Sequence, residues 1–393
     1  MEERKGLIGL GGNCLFMLLV LLFVVDPTNT ILGLKNMVFA LLFLYSLVFF
    51  KADWSKLVYF LIPAAAISIS WVIASMRGHN MDGEELKGVY TALVPLLLLM
   101  WVNQYDVVRL SVFPVAIGAI LVLSLFWLIF FVPQLEGPIY EYMWKHDGTI
   151  MMSNRVFLGF KIFCMYPKST AAFMPVFGYV LYRTVDREQR KWVFVIVALL
   201  LLHLFVISGT RSSVLLPVFF ACSVLFIFCR NGRYARYLFY PAAMVFFVMF
   251  IVVLMMLLME EDEPSNLVKY AHLASYKELF NDNPEYLLLG QGPATEFYSV
   301  GFRKMTLKTE WTYLELVRNY GVLCIPILYV ILTPFFSLIK LSKKHDSAIP
   351  MAFAYVIYLI IAGTNPLLLS STGMLVLLSA YSYAHRLERC SND

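Results

Sequence analysis

Long runs of apolar residues, separated by short polar connections, dominate the pattern along the chain. A helix needs about 20 predominantly apolar residues to cross the hydrocarbon core of a bilayer. The runs that approach or exceed this length predict twelve membrane-spanning helices, at residues 7–25, 30–50, 56–75, 88–102, 109–132, 165–182, 191–207, 212–229, 238–259, 312–340, 348–363 and 371–385. The pattern therefore predicts an all-α polytopic membrane protein, with residues 1–393 forming a single integral membrane domain.

The composition supports the same conclusion. Hydrophobic residues make up 60% of the chain and charged residues only 15%, whereas about a quarter of a soluble globular protein is charged. This composition excludes a soluble enzyme, a disordered protein and a nucleic-acid partner. The six cysteines form no C-x-x-C pair, which leaves neither a disulfide framework nor a zinc site indicated.

The distribution of lysine and arginine predicts the orientation. Cytoplasmic connections of membrane proteins carry an excess of these residues. If the N-terminus is cytoplasmic, the short connections on the opposite side retain only Lys35, Arg77, Lys87 and Arg211. We therefore expect both termini in the cytoplasm, and the first apolar run to be a retained helix and not a cleaved signal peptide.

Two connections on the predicted outer side, opposite the cytoplasm, are much longer than the rest, at residues 133–164 and 260–311. Loops of this length are usually functional or disordered, and both contain tryptophan, tyrosine, arginine and acidic residues, which argues for order. We expect the second to contain short helices. The cytoplasmic connections leave no room for a nucleotide-binding domain, so any chemistry is predicted to occur outside the cytoplasm.

The sharpest candidate for that chemistry is the turn Ser208-Gly209-Thr210-Arg211-Ser212-Ser213 between two apolar runs. Ionisable side chains at membrane depth are costly and usually functional. The planar guanidinium of Arg211 suits a phosphate group. The alternative is an arginine that reaches the lipid surface and closes a helical hairpin.

The second long loop contains Gly290-Gln291-Gly292-Pro293, followed by Arg303. Gly290 and Gly292 permit a tight turn whose backbone N–H groups can cradle an anion, although a plain turn is the commoner role of such a sequence. Glu310 stands beside aromatic residues at the mouth of the membrane, where partial desolvation would raise its pKa and favour a general base. Glu315 and Arg318 have the spacing of an ion pair on one helix face.

In the first long loop, Arg155 lies within Ser153-Asn154-Arg155. It can join Arg211 and Arg303 in a basic pocket that faces lipid phosphate, or all three can be solvated loop cations. The six histidines are scattered, and the acidic run at residues 260–263 is typical of a solvated helix end. No metal and no other cofactor is predicted.

The order and membrane placement of these motifs resemble the bacterial O-antigen polymerase and O-antigen ligase superfamily. The similarity rests on the many spans, on the Ser-Gly-Thr-Arg-Ser turn at residues 208–212, and on the late outer loop. That loop runs from Leu289-Gly290-Gln291-Gly292 to Tyr313-Leu314-Glu315-Leu316 and Asn319-Tyr320-Gly321. Motif-level similarity covers mainly residues 150–325.

The resemblance implies a metal-independent C-type glycosyltransferase that works at the periplasmic face of the bacterial inner membrane. Its donor and acceptor would be oligosaccharides linked to undecaprenyl pyrophosphate, and its further partners membrane lipids and a chain-length regulator. Ligases carry a histidine where this chain has Glu310, so the polymerase branch is favoured. Glu310 and Arg211 are then the predicted catalytic residues, and the predicted pyrophosphate- or substrate-binding residues are Arg155, Arg303, Gly290, Gly292, Tyr313 and Arg318.

Two alternatives remain open at this stage. One is ligation of the O-antigen to lipid A-core, which shares the fold and the donor. The other is a flippase or secondary transporter for lipid-linked oligosaccharide, which would have the same hydropathy. Transporters place charged or broken helices at the bilayer midplane, whereas the charges of this chain collect at the predicted outer edge.

Overall fold

The computed structural model describes residues 2–157, 160–186, 192–209 and 264–391, together with scattered positions between 213 and 244. Within these ranges the helices are α1 (Glu2–Val25), α2 (Lys35–Phe49), α3 (Val58–Met76), α4 (Gly83–Leu93), α5 (Val107–Phe131), α6 (Glu136–Lys145), α7 (Thr170–Val185), α8 (Trp192–Ile207), α9 (Pro264–Asp282), α10 (Tyr286–Leu289), α11 (Thr312–Tyr320), α12 (Cys324–Leu341), α13 (Ala348–Gly363) and α14 (Ser371–Cys390). Two antiparallel hairpins join β1 (Ile150–Phe157) to β2 (Phe160–Pro167), and β3 (Phe297–Ser299) to β4 (Lys304–Thr306). The fold is therefore predominantly helical.

Four helical segments of the described part are long and apolar enough to cross a membrane: Leu7–Val25, Trp54–Met76, Val107–Phe131 and Thr312–Leu341. Three shorter apolar helices accompany them, at Lys35–Phe49, Trp192–Ile207 and Ala348–Gly363. The predicted spans at 212–229 and 238–259 lie outside the described residues, apart from scattered positions. The structure thus supports a helical membrane protein, while the number of twelve spans stays a prediction.

Large apolar side chains cover the outside of α1, α2, α3 and α5. Leu44 is 58% exposed, Val72 48%, Phe113 66% and Phe131 74%. A soluble protein rarely exposes apolar surface over such an area, whereas lipid tails cover it at no cost. This surface is what a bilayer-embedded bundle requires.

The centre of the bundle is formed by α7 and α14. Every residue of α7 from Thr170 to Leu181 is buried, and a helix that is buried all round belongs in a core. Small residues permit the close approach of its neighbours. A Cβ on Gly178, for example, would lie 2.9 Å from the Cβ of Ala354 on α13.

The ends of the helices collect at two opposite ends of the bundle. We call one the loop end: there α1 ends, α2 begins, and the two long connections fold. Thr28 contacts Thr149 there (2.7 Å between hydroxyl oxygens), and Lys35 contacts Ser371. At the other end, the hydroxyl of Ser382 on α14 donates to the carbonyl of Tyr105 just before α5.

The predicted span at 312–340 is broken in the structure. α11 ends at Tyr320, a single 3₁₀ turn follows at Gly321–Leu323, and α12 then begins. Gly321 has a φ of 52°, a left-handed conformation that no helix interior contains and that glycine adopts without steric cost. The apolar pattern continues through this break, and for that reason hydropathy alone predicted one continuous helix.

Two other predicted spans also have different structures. Residues 88–102 begin within α4 and continue as a 3₁₀ helix from Val94 to Trp101, with Pro95 at the transition. Residues 165–182 begin in strand β2, which extends to Pro167, and only then form α7. Strand pairing with β1 overrides the apolar run there.

Candidate functional site

A cavity of about 740 Å³ opens at the loop end of the bundle. Its walls come from the α1–α2 connection, α4, α11, the β4–α11 connection and residues 366–371 before and at the start of α14. Ligand sites in proteins typically measure about 300–1,000 Å³. The cavity therefore has the size of a small-molecule or short-oligosaccharide site.

The cavity wall carries charges of both signs. Lys308 forms an ion pair with Glu85 of α4, and Lys87 pairs with Glu84 at 3.2 Å. The second pair is largely exposed, so it contributes little to stability. Both pairs leave the wall electrically close to neutral on that side.

Lys35, the first residue of α2, is different because it is only 7% exposed. Its ammonium donates to the carbonyl of Pro27 and, at 3.2 Å, to the hydroxyl of Ser371. Both acceptors are neutral. Lys35 is thus a buried cation in the cavity wall.

Asp26 fixes the connection that presents Lys35. Its carboxylate is completely buried and accepts the backbone N–H groups of residues 30–33. Burial alone would raise the pKa of Asp26, but these four hydrogen bonds outweigh it and lower that pKa below its ordinary value. The carboxylate of Asp26 therefore stabilises the conformation of the connection between α1 and α2.

Arg318 of α11 lies behind the opposite wall and is completely buried. It forms an ion pair with Glu315, with Nη2 and Oε2 2.7 Å apart. Its remaining N–H groups donate to the side chain of Gln291 (2.7 Å) and to the carbonyls of Thr295 (2.9 Å) and Leu307 (2.8 Å). One guanidinium thus ties α11 to the segment from 291 to 307.

The second carboxylate oxygen of Glu315 is also saturated. It accepts the hydroxyl of Tyr276 on α9 at 2.5 Å and the backbone N–H of Thr309 at 3.0 Å. Burial and the neighbouring carboxylate raise the pKa of Tyr276 above its ordinary value, so its proton stays in this bond. The network joins α9, α11 and the β4–α11 connection into one unit.

Arg318 was predicted to bind pyrophosphate or substrate, and the structure corrects this. All its donors are used within the protein, and no part of its side chain is exposed. The i, i+3 spacing correctly indicated its ion pair with Glu315. The role that fits Arg318 is to position Thr309 and Glu315, both of which line the cavity.

The predicted anion cradle at Gly290 and Gly292 is also corrected. The N–H of Gly290 donates to Tyr286, and that of Gly292 to Asn319 (3.1 Å). The intervening Gln291 N–H donates to the carbonyl of Arg318 at 2.6 Å. No N–H of this turn is free for an anion, because all three hold the turn in place.

Gly290 and Gly321 instead allow two backbones to meet. A Cβ on Gly321 would lie 2.3 Å from the carbonyl oxygen of Leu288, and one on Gly290 would lie 2.5 Å from the carbonyl oxygen of Asn319. Both glycines have positive φ angles, 73° and 52° respectively. The break between α11 and α12 thus packs directly, backbone against backbone, on the turn after α10.

We expect Gly321→Ala to destabilise the protein, because the new Cβ meets backbone atoms and the φ of 52° strains any L side chain. Thermal unfolding of the purified protein measures this. The control is Gly137→Ala in α6, where a new Cβ would have no described atom within 4 Å. This substitution is expected to be neutral or to stabilise by about 0.5–1 kcal/mol. Equal thermal stability of the two variants would contradict the assigned packing.

Three other predicted residues, in the second loop and at the start of α11, make different contacts. Glu310 forms an ion pair with Lys269 of α9 at 3.4 Å, and its side chain is 39% exposed. Arg303 is exposed in the turn between β3 and β4, with a φ of 53°. Tyr313 donates its hydroxyl to the carbonyl of Leu359 on α13. None of the three is among the described residues that line the cavity.

Arg211 lies outside the described residues, and the side chain of Arg155 is not described. The backbone of Arg155 is opposite Ile162 in the β1–β2 hairpin. Gly209, two residues before Arg211, packs directly against that hairpin, since a Cβ there would lie 2.0 Å from the Sγ of Cys164. The Ser208–Ser213 turn therefore begins beside strand β2.

Sequence reasoning missed the described cations of the cavity: Lys35, Lys87 and Lys308. Lys35 and Lys87 entered the argument only as charges that set the orientation. A usable signal was present for Lys35, because it directly precedes a long apolar run and follows the polar connection after Asp26. No comparable signal marks Lys308, whose partner Glu85 is remote in sequence.

Comparisons with known proteins assign no function to this site. No protein-family model, curated protein or solved structure matches the chain.

Proposed function

We propose that the chain is a glycosyltransferase of the O-antigen polymerase type. It moves a growing polysaccharide from undecaprenyl pyrophosphate onto one new lipid-linked repeat unit. The observation that carries this proposal is the cavity of about 740 Å³ at one end of an apolar bundle. Its polar wall suits sugars, while the exposed apolar helices below it suit the polyprenyl tails of the two substrates.

The proposed reaction is an inverting displacement. The acceptor hydroxyl oxygen attacks the anomeric carbon of the donor, and the bond from that carbon to the pyrophosphate oxygen breaks. The electron pair leaves with the diphosphate, and the acceptor proton passes to the carboxylate of Glu310. The leaving group is a stable anion, so the step needs cations that stabilise developing charge, and no metal ion.

Arg211 is the proposed cation, assisted by Arg155 and Arg303. The position of Gly209, two residues before Arg211, supports this. Gly209 packs against the β1–β2 hairpin, and Arg155 is a residue of strand β1 in that hairpin. Asp147 just before β1 lines the cavity, so hairpin and cavity are neighbours. Glu310 follows Thr309, which lines the cavity from the other side.

In this proposal the loop end faces the periplasm and the chain is a multi-pass protein of the bacterial inner membrane, with both termini cytoplasmic. The distribution of lysine and arginine supports that orientation. The lipid-linked substrates would approach sideways from the bilayer.

Deletion of the gene in the encoding bacterium tests the function. We expect lipopolysaccharide to change from a ladder of long chains to core with a single repeat, and the ladder to return when the gene is supplied on a plasmid. The lipopolysaccharide is separated by gel electrophoresis. Bare core would identify a ligase. Loss of the undecaprenyl-linked repeat from the periplasm, with bare core, would identify a flippase, and an unchanged ladder would exclude all three functions.

A further inference from the structure

The buried ammonium of Lys35 lacks an ionic partner among the residues that the structure describes. Its acceptors there are the carbonyl of Pro27 and the hydroxyl of Ser371. The nearby Asp26 favours the charged form of Lys35 through space, but its carboxylate oxygens accept four backbone N–H groups and form no ion pair with Lys35 at contact distance. Burial of a charge is costly unless an opposite charge accompanies it. The position of Lys35 at the N-terminus of α2 adds the positive end of a helix dipole.

Most of the other described charges of the cavity wall lie in ion pairs. Lys308 pairs with Glu85, Lys87 with Glu84, and Glu315 with Arg318 behind the wall. Asp147 is the remaining carboxylate, and it is exposed to solvent. Lys35 is therefore the described cation of this wall that is buried without an ion pair, and a negatively charged group on a ligand would supply one.

A second feature indicates the rest of the ligand. Asn319 also lines the cavity, and its buried side-chain oxygen has no hydrogen-bond partner among the residues that the structure describes. A buried acceptor without a donor costs free energy, and a rotation of the amide that turns this oxygen into the cavity would let a ligand hydroxyl remove that cost. A ligand that complements the cavity would therefore have one anionic group and hydroxyl donors on the same molecule.

We propose that this cavity binds a sugar that carries a carboxylate, with the carboxylate on Lys35 and a hydroxyl donating to Asn319. A carboxylate next to a buried ammonium forms a charge-assisted hydrogen bond, which is stronger than a neutral one. This site rests on the proposed function: in a polymerase, it implies that the repeat unit contains an acidic sugar.

Binding to the purified full-length chain in detergent tests this site. The probes are D-glucuronate, D-glucose and inorganic pyrophosphate, followed by saturation-transfer NMR titration. We expect glucuronate to bind at least roughly ten-fold more tightly than glucose, as a charge-assisted bond implies. Equal affinity for the two sugars would overturn the proposal. The proposal would also be overturned if pyrophosphate displaced glucuronate and bound more tightly than glucuronate does.

Variants then assign the contacts. Lys35→Met is expected to abolish the preference for glucuronate over glucose, whereas Lys35→Arg retains most of it. Asn319→Ala is expected to weaken the binding of both sugars and to leave the ratio of their two affinities unchanged. Lys145→Met, which removes an exposed lysine of α6, is the control and should bind as the original chain does.

A preference for glucuronate that survives Lys35→Met overturns the assignment of Lys35. If Lys35→Met fails to fold, the comparison of the three probes on the unaltered chain still decides the proposal. The binding experiment requires no catalysis. Selective glucuronate binding together with an unchanged lipopolysaccharide ladder after gene deletion would therefore refute the polymerase function alone.

Discussion

Arg318→Met is expected to lower the free energy of unfolding by about 3–5 kcal/mol, the usual consequence of removing one partner of a buried ion pair. The substitution leaves the carboxylate of Glu315 buried without its cation. It also removes the donors to the side chain of Gln291 and to the carbonyls of Thr295 and Leu307. Thermal unfolding in detergent, compared with the original chain, measures the effect.

The matched control is Lys145→Met. Its ion pair with Glu141 is 70% and 72% exposed on the two sides, and such pairs contribute at most about 1 kcal/mol. The double variant Arg318→Met with Glu315→Gln should recover part of the loss, because it leaves no charge buried alone and keeps a side-chain oxygen for the hydroxyl of Tyr276 and the N–H of Thr309. If Arg318→Met unfolds at the same temperature as Lys145→Met, the buried network does not hold the loop end together.

Glu310→Gln is expected to abolish long polysaccharide chains and to leave the single-repeat product. The amide keeps the size of the side chain and its hydrogen-bonding capacity but cannot accept the proton of the acceptor hydroxyl. Removal of a general base typically costs about 10²–10⁴-fold in rate. Arg211→Ala should have the same phenotype, because the departing diphosphate loses its cation. Both are read from lipopolysaccharide gels, with protein amounts checked by immunoblot.

Two controls separate chemistry from general damage. Glu296→Gln changes an exposed carboxylate in the same loop, and Arg109→Ala an exposed arginine at the opposite end of the bundle. Both should retain the full ladder. A normal ladder with Glu310→Gln, at equal protein amount, would remove Glu310 from the mechanism, and the same result with Arg211→Ala would remove Arg211.

Apolar runs predicted the long outer helices well. The predicted span 56–75 compares with α3 at Val58–Met76, and 109–132 with α5 at Val107–Phe131. Hydropathy did not reveal the β1–β2 hairpin or the break at Gly321. An apolar run looks the same whether it forms a strand or a helix, and the break depends on backbone contacts with residues about thirty positions earlier.

The candidate site shows the same division between local and remote information. The i, i+3 spacing of Glu315 and Arg318 indicated their ion pair, since both lie on one helix face. Their bonds to Tyr276, Gln291 and Leu307 link residues remote from them in sequence, and no spacing rule reaches so far. Hydrogen-bond partners decide whether a glycine turn or an arginine is free for a ligand. For Arg318 and Gly290 only the fold supplied that answer.

The walls of the cavity come from both ends of the chain, from Phe23 at the end of α1 to Ser371 at the start of α14. During synthesis, Lys35 is in place long before Ser371 leaves the ribosome. The cavity is therefore completed only when the start of α14 packs against the earlier helices. A truncated or stalled product that ends before residue 366, however well its earlier helices have packed, would lack the part of the cavity wall that Pro366, Leu369, Ser370 and Ser371 form.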